Sequence, residues 1–246
     1  MPNPIYYGII TLIISGLLIK HARVIHKRPQ FQPVPSSTII NPINTIAFDL
    51  NGVVLRFSPL RALRIALSTK HKLKLLQAAC RPSLIWDILK LAYRGNVVEQ
   101  SIMQIKERHP DLIDLIPLAL QMANAQLPIP ETVQLIQDLK IAGYRVLALS
   151  NLGEQSAQIL AQKYPQLFNL FDGVLVTSAQ DNYLMKPHPA AFKKFLSKFQ
   201  LDPKRLIFID DKLKNISAAN RYGIIGIRFI NPCQCRQDLL KHVNSI

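Results

Sequence analysis

The sequence predicts an α/β domain in which a parallel sheet is covered by helices on both faces. Short apolar runs suited to buried strands recur along the chain, amphipathic helical patterns alternate with them, and polar side chains stand where several runs end. The predicted strands are Thr45–Asp49, Arg145–Ser150, Gly173–Val176, Leu206–Asp210 and Gly223–Phe229. The predicted helices between them are Glu131–Ala142, Glu154–Lys163, Pro189–Phe199 and Leu213–Tyr222.

Residues 58–126 interrupt this alternation, because they read as helices without strands between them. The helical patterns are Leu60–Leu67, Leu73–Ala79, Leu84–Ala92 and Leu112–Asn124. We interpret the segment as an insert that follows the turn after Asp49 and lies over the sheet edge as a cap. The predicted domains are therefore an α/β core (residues 44–57 and 127–246) and a helical cap (residues 58–126).

The N-terminal residues 1–28 have the composition of a hydrophobic anchor helix with a basic flank. No charged side chain precedes Lys20, residues 5–19 are almost wholly apolar, and a basic cluster follows. A helix over residues 5–19 spans roughly 22 Å, and residues 1–4 with a snorkelling Lys20 extend it toward the roughly 30 Å hydrocarbon core. Because the positive charges follow the apolar run, we expect one membrane-anchoring helix, with the rest of the chain on the cytoplasmic side.

Two alternatives to the anchor are a cleaved signal peptide, which fits poorly because its charges should precede the apolar run, and a helix packed on the protein itself. The Pro-rich residues 29–43 are predicted to be a semi-rigid linker.

The composition excludes a disordered chain and indicates anionic partners. Hydrophobic residues make up 49% and charged residues 18% of the 246 positions. Thirty basic residues against fifteen acidic ones give a net charge of +15, which favours a membrane surface, a phosphorylated substrate or nucleic acid. The three cysteines form no disulfide framework, and a metal site at Cys233 and Cys235 is less favoured than ordinary thiols.

Seven basic side chains and no acid lie between Arg56 and Arg81, mostly in the predicted cap. A solvated helical face is the simplest interpretation. Contact with anionic lipid headgroups is the second, favoured by the neighbouring anchor, and a funnel for an anionic substrate is the third. Nucleic acid is not expected, because aromatic side chains are sparse there and no nucleic-acid motif is present.

The most informative motif is Phe48–Leu55, in which Asp49 ends a buried strand and a Gly-containing turn follows. Ligands of open α/β folds bind at the carboxyl edge of the sheet, where this acid is expected. An aspartate held there can act as a nucleophile and form a covalent intermediate with a phosphoryl group or an alkyl carbon.

Further polar side chains follow predicted strands or precede a helix, namely Ser150 with Asn151, Lys186, and Asp210 with Asp211. Paired acids suit Mg²⁺, which prefers oxygen ligands. Lys186 can neutralise charge on a phosphate and on the attacked carboxylate. Ser150 and the backbone N–H groups after it can donate hydrogen bonds to phosphoryl oxygens. Each residue alone also fits helix capping, turn chemistry or a solvated charge, but their shared placement favours a site.

These motifs make residues 44–231 resemble the haloacid dehalogenase (HAD) superfamily of aspartate-nucleophile hydrolases. The four family motifs are similar to Phe48–Leu55, Leu149–Leu152, Met185–Pro189 and Phe208–Asn215. The resemblance implies a Rossmann-like three-layer α/β/α core, with an α-helical cap inserted after the first motif.

The resemblance also implies the roles of the site residues. Asp49 would be the nucleophile, and Asn51 and Lys186 would hold the other catalytic positions. Ser150, Asn151 and Lys186 would bind phosphate. The implied ligands of a Mg²⁺ cofactor are Asp49, the backbone carbonyl of Asn51, Asp210 and Asp211.

Asn51 departs from the pattern of the family's phosphatases, which carry a catalytic Asp at this position. A neutral amide can neither protonate a leaving group nor activate water, and such help is worth about 10²–10⁴-fold. The favoured hypothesis is a Mg²⁺-dependent phosphatase acting on a small phosphorylated substrate through an aspartyl-phosphate intermediate, slow or restricted to good leaving groups.

The second hypothesis is a catalytically inactive module that binds a phosphorylated ligand or a protein at a membrane. The third is carbon–halogen hydrolysis, because family dehalogenases also lack the second acid. They need no metal and have no acidic pair in the fourth motif, so Asp210 and Asp211 favour phosphate chemistry.

Overall fold

The computed structural model describes residues 43–87 and 98–243. The predicted anchor helix, nearly all of the linker, and the last part of the predicted helix Leu84–Ala92 lie outside the described residues. Among the residues described, we find no helix with the length and apolar character that a membrane crossing requires.

The strands are β1 (Thr45–Phe48), β2 (Leu55–Phe57), β3 (Gln126–Pro128), β4 (Arg145–Gly153), β5 (Gly173–Thr177), β6 (Leu206–Asp210) and β7 (Ile225–Arg228). Five of them form a parallel sheet in the order β5-β4-β1-β6-β7, as the strand–helix alternation predicts. The strand ends differ from the prediction. β4 continues past Ser150 to Gly153, and β7 begins only at Ile225 because Gly223 adopts φ +77° in the preceding turn.

The helices are α1 (Pro59–Ser68), α2 (Lys72–Ala79), α3 (Val98–Arg108), α4 (Ile116–Ala123), α5 (Pro130–Ile141), α6 (Glu154–Lys163), α7 (Pro165–Phe168), α8 (Pro189–Phe199), α9 (Leu213–Arg221) and α10 (Pro232–Leu239). Short 3₁₀ helices occupy Pro110–Leu115, Ala179–Asp181 and Pro203–Arg205, and residues 82–87 are helical.

Both faces of the sheet are buried, which is why its central strands are apolar at nearly every position. In β1, Ile46 and Phe48 pack with side chains of α5, α6 and α10 on one face. Ala47 packs on the other face with Phe192 of α8 and Ile216 of α9. Fully burying an aliphatic or Phe side chain contributes about 1.5–3 kcal/mol, so these two layers hold the sheet and its edge in place. The result is the predicted three-layer α/β/α core.

Helices α1 to α4 lie between β2 and β3, which pair as a two-stranded antiparallel ribbon. The cap has its own small apolar cluster, formed by Ala78, Leu84, Leu112, Leu115 and Leu118. The ribbon, whose strands have only three residues each, and helix α3 were not predicted from the sequence. Because residues 41–246 form one compact unit, the division into core and cap domains stays a prediction.

The two cysteines near the C terminus do not share a site. Cys233 is exposed and Cys235 is buried on helix α10. Burial raises the pKa of the Cys235 thiol to about 12, which keeps it protonated and poor as a metal ligand. This favours ordinary thiols over a metal site here.

Candidate active site

The strand register brings the predicted residues to one edge of the sheet. Phe48 of β1 is paired with Ala148 of β4 on one side and with Ile209 of β6 on the other. Asp49 and Asp210 each follow a paired residue, so they emerge side by side. β1 is also where the strand order reverses direction, because the chain continues to β4 and β5 on one side and later to β6 and β7 on the other.

Lys186 joins the acids of two strands. It is 3% exposed, and its Nζ donates hydrogen bonds of 2.8 Å to Asp210 Oδ2 and 2.6 Å to the carbonyl of Leu149. It also lies 3.1 Å from Asp49 Oδ1. These three acceptors match the three N–H donors of an ammonium group. Lys186 therefore neutralises two carboxylates while tying β4, β1 and β6 together.

Asp210 is fully buried and more heavily bonded than Asp49. Asn215 Nδ2 lies 3.0 and 2.9 Å from its two oxygens, and the backbone N–H of Lys212 donates a 2.8 Å bond to Oδ1. Asn215 was not among the predicted site residues. Its signal in the sequence is its place in the first turn of α9, five residues after Asp210.

The acids could hold a divalent cation. Asp49, Asp210 and Asp211 each offer an oxygen, and these oxygens lie within 4.8 Å of one another. Asp211 Oδ1 is buried and has no hydrogen-bond partner among the described residues, so it is available as a metal ligand. Oxygens on opposite sides of one Mg²⁺ ion lie about 4.2 Å apart, so the cluster needs only small adjustments to bind it.

Gly52 allows the turn after Asp49 to approach Asp211. It adopts φ +91°, and a Cβ there would lie 3.0 Å from Asp211 Oδ2. Both the backbone conformation and the space therefore favour glycine. The turn carries Asn51, which is half-buried and whose side-chain Oδ1 is buried without a hydrogen-bond partner.

Burial is the largest influence on the pKa values of Asp49 and Asp211. It raises the pKa of Asp49, with the Lys186 ammonium acting in the opposite direction and the Asp210 carboxyl adding to the rise. Burial likewise raises the pKa of Asp211, against the attraction of Lys212. A bound divalent cation would be the largest local charge and would lower both pKa values.

Ser150 and Asn151 both lie at this edge, but their side chains are used differently. Ser150 is buried, and its Oγ accepts a 3.4 Å bond from the N–H of Leu152. Asn151 forms a reciprocal pair with the backbone of Lys186, since its Nδ2 donates to the carbonyl and its Oδ1 accepts from the N–H, both at 2.8 Å. The Asn151 amide thus positions Lys186, and a phosphate-binding role for Asn151 stays a prediction.

Replacing Lys186 with Met is expected to destabilise the metal-free protein by about 3–5 kcal/mol, because it leaves two buried carboxylates without their shared cation. Urea unfolding with a chelator measures the loss. The control is Lys193→Met on α8, where the lysine is exposed and the change should cost less than about 0.5 kcal/mol. A loss no larger than the control's would show that the acids take up protons instead of depending on Lys186.

The fold and site define a Rossmann-like α/β protein with a metal-compatible cluster of acids at the switch point of its sheet. The model of the haloacid dehalogenase-like hydrolases matches residues 43–223. The chain therefore belongs to this hydrolase family, which confirms the resemblance read from its four motifs.

Relatives include both phosphatases and a dehalogenase. Phosphoglycolate phosphatase of Mannheimia succiniciproducens is 25% identical over 195 residues, which cover 74% of this chain and 83% of the relative. (S)-2-haloacid dehalogenase 4A of Burkholderia cepacia is 29% identical over 121 residues, or 48% of this chain and 51% of the relative. Sesquiterpene phosphatase astK of Aspergillus oryzae is 26% identical over 112 residues, which cover 46% of this chain and 56% of the relative. The chain thus matches only about half the length of the last two.

Solved structures share the fold at low identity. A HAD family enzyme from Bacteroides thetaiotaomicron, in complex with magnesium and inorganic phosphate, has a TM-score of 0.54 at 18% identity over 76% of this chain and 93% of that one. L-2-haloacid dehalogenase from Xanthobacter autotrophicus, with chloropropionic acid covalently bound, has a TM-score of 0.51 at 17% identity. The match covers 81% of this chain and 83% of that one.

Proposed function

We propose that the protein is a Mg²⁺-dependent phosphatase that acts on a small phosphorylated substrate through an aspartyl-phosphate intermediate. The observation that carries the proposal is the convergence of Asp49, Asp210, Asp211 and Lys186 at one sheet edge. One phosphatase relative, which this chain matches over 83% of its length, supports the proposal, as does the magnesium and phosphate complex of a protein with the same fold.

Asp49, Asp210 and Asp211 would hold the Mg²⁺ ion, together with the backbone carbonyl of Asn51. When bound, Mg²⁺ would supply positive charge that offsets the negative charge of the phosphate. This makes attack by the anionic carboxylate feasible. The orphaned Asp211 oxygen and the all-oxygen donor set fit this ion.

In the first step, a carboxylate oxygen of Asp49 attacks phosphorus, and the bond from phosphorus to the leaving-group oxygen breaks with its electron pair. In the second step, water attacks phosphorus, phosphate leaves, and the Asp49 carboxylate is regenerated. Lys186 balances charge on the Asp49 carboxylate and on the phosphoryl oxygens, and the Ser150 hydroxyl donates a hydrogen bond to the phosphoryl oxygens.

Asn51 limits which substrates turn over. Its amide cannot protonate a departing alkoxide, so simple alkyl phosphates should react poorly. Acyl and aryl phosphates need little proton transfer, because their leaving groups are stable anions. We therefore place acyl and aryl phosphates ahead of sugar phosphates as substrates.

Phosphate release by the purified full chain tests the proposal. The panel is acetyl phosphate, p-nitrophenyl phosphate and glycerol 3-phosphate, each with Mg²⁺ or with a chelator. Mg²⁺-dependent release from the first two supports it, and no release from any of them contradicts it. Halide release from 2-chloropropionate that persists in chelator would favour dehalogenation, the activity named for two of the similar proteins.

A catalytically inactive module at a membrane is the second candidate, favoured by Asn51 itself. Calorimetry that detects binding of Mg²⁺ with inorganic phosphate, in a protein without turnover on the whole panel, would support it. Hydrolysis that depends on Asp49 would exclude it.

We also propose that residues 1–28 attach the chain to a membrane, with the basic face of the cap toward anionic lipid. On helices α1 and α2, the exposed side chains include Leu60, Arg64, Leu67, Lys72 and Leu73. Exposed leucines next to cations suit an anionic lipid surface. Full-chain binding to phosphatidylserine vesicles that exceeds binding to phosphatidylcholine vesicles would support this, and equal binding would contradict the contribution of the cap.

A further inference from the structure

Glu99 is a buried acid that the proposed reaction does not use. It lies in the first turn of helix α3 in the cap and is 6% exposed. Its Oε1 accepts a 2.8 Å hydrogen bond from the backbone N–H of Ser156, in the first turn of core helix α6. Its Oε2 has no hydrogen-bond partner among the residues that the structure describes. Burying a carboxylate is costly unless hydrogen bonds and a helix N terminus compensate, so this contact needs a reason.

The N terminus of helix α6 is capped by a side chain from another helix. Its N-cap residue is Gly153, which has no side chain to bond the first N–H groups. A Cβ at Gly153 would lie 1.9 Å from Glu99 Oε2, so a larger residue does not fit while Glu99 is in place. Gly153 has φ −73°, which any residue can adopt, so the glycine is required by space and not by backbone conformation.

Ser156 is held by the cap at both of its polar atoms. Its N–H bonds Glu99, and Asn124 Nδ2 lies 3.3 Å from its Oγ. Helix α3 also packs against β4 and α6. β4 carries Ser150, so the contact joins the cap to the strand and helix that flank the proposed phosphate site.

We propose that Glu99 is a positioning residue that latches the cap to the core by capping helix α6 beside the active site. Its catalytic consequence rests on the proposed phosphatase function. With the latch in place, helix α3 of the cap is fixed against β4 and α6 before the substrate binds. Without it, substrate binding has to supply the free energy that closes the cap, which raises KM and leaves kcat at saturation nearly unchanged.

The first test compares Glu99→Ala with Glu99→Gln, which retains an oxygen for the Ser156 N–H. Glu99→Ala should speed hydrogen exchange at the N terminus of α6 about 3- to 30-fold and raise KM for p-nitrophenyl phosphate by a similar factor, with kcat within about threefold. Glu99→Gln should stay within about threefold of wild type in both measurements. Glu107→Ala on the exposed side of α3 is the control and should change neither.

The second test uses Gly153→Ala, whose methyl group collides with Glu99 Oε2. Alone, it should loosen α6 at least as much as Glu99→Ala does. Added to Glu99→Ala, it should have little further effect, because the colliding atom is gone. Independent, multiplying effects of the two changes would contradict the latch.

The outcomes separate the latch from the proposed function. Hydrogen exchange decides the latch even if no substrate turns over. Unchanged exchange in Glu99→Ala would overturn the latch while leaving phosphatase activity intact, and a Gln variant as loosened as the Ala variant would contradict the capping hydrogen bond.

Discussion

Replacing Asp49 with Asn is expected to lower phosphate release by about 10⁴-fold or more in a protein that still folds. An amide is not a nucleophile, so no covalent intermediate can form. The new side chain keeps an oxygen for the 2.8 Å bond that Asp49 Oδ1 accepts from the N–H of Leu50. Lys186 keeps Asp210 and the Leu149 carbonyl as acceptors. The loss should therefore appear in kcat and not in stability.

The measurement is release of phosphate from acetyl phosphate with Mg²⁺, together with the unfolding midpoint in urea. Asp114→Asn is the matched control, since that side chain is 63% exposed and forms an ion pair with Lys74, away from the site. The control should retain wild-type release. If Asp49→Asn keeps more than about a tenth of it, another group is the nucleophile or water attacks directly.

The wild-type protein should also accumulate its intermediate. Because Asn51 cannot activate water, hydrolysis of the aspartyl-phosphate is the slow step for substrates with good leaving groups. Acid quenching after mixing with radiolabelled acetyl phosphate should trap close to one phosphoryl group per chain. Asp49→Asn should trap none, which identifies the residue independently of turnover.

The sequence predicted the parts of the site that follow from strand ends. Asp49 and Asp210 each end a run of apolar residues, and parallel register then places such residues at the same edge. Lys186 was predicted from its place before a helix, but its contacts with both acids depend on how that loop packs against the sheet.

What sequence reasoning missed depends on tertiary contacts. Glu99 is separated from Ser156 by 57 positions, and no local pattern announces that an acid of one helix caps another. In the sequence, Gly153 resembles an ordinary loop glycine. Only the structure shows that the Glu99 carboxylate occupies the space that a side chain at position 153 would need. The β2–β3 ribbon pairs two three-residue strands that are separated in sequence by all of the predicted cap. Hydrophobic periodicity cannot detect strands this short or this far apart.

Replacing Asn51 with Asp is expected to raise kcat/KM for glycerol 3-phosphate by about 10²–10⁴-fold, because it restores an acid that can protonate the departing alkoxide. The gain for p-nitrophenyl phosphate should be much smaller, since its leaving group needs little protonation. Asn and Asp have nearly the same size, so the change adds no bulk, and it leaves the buried Oδ1 of residue 51 in place.

The new carboxyl would stand near three others, and this charge has two consequences. Repulsion raises the pKa of the added acid, which suits a group that must be protonated when it acts. The same repulsion should destabilise the metal-free protein and strengthen its dependence on Mg²⁺. Asn169→Asp, at an exposed position after α7, adds the same charge elsewhere and is the control for both effects.

Two measurements together decide whether Asn51 is what limits this protein. If the missing acid and base is the cause, Asn51→Asp must raise kcat/KM for the alkyl phosphate and also abolish the trapped aspartyl-phosphate, since the same group activates water in the second step. A gain in the first measurement without the second would mean that the restored carboxyl protonates the leaving group but does not activate water for the second step. If neither result is obtained in a variant that folds and responds to Mg²⁺, the site lacks more than this one group. The proposal of a slow phosphatase would then give way to that of a binding module.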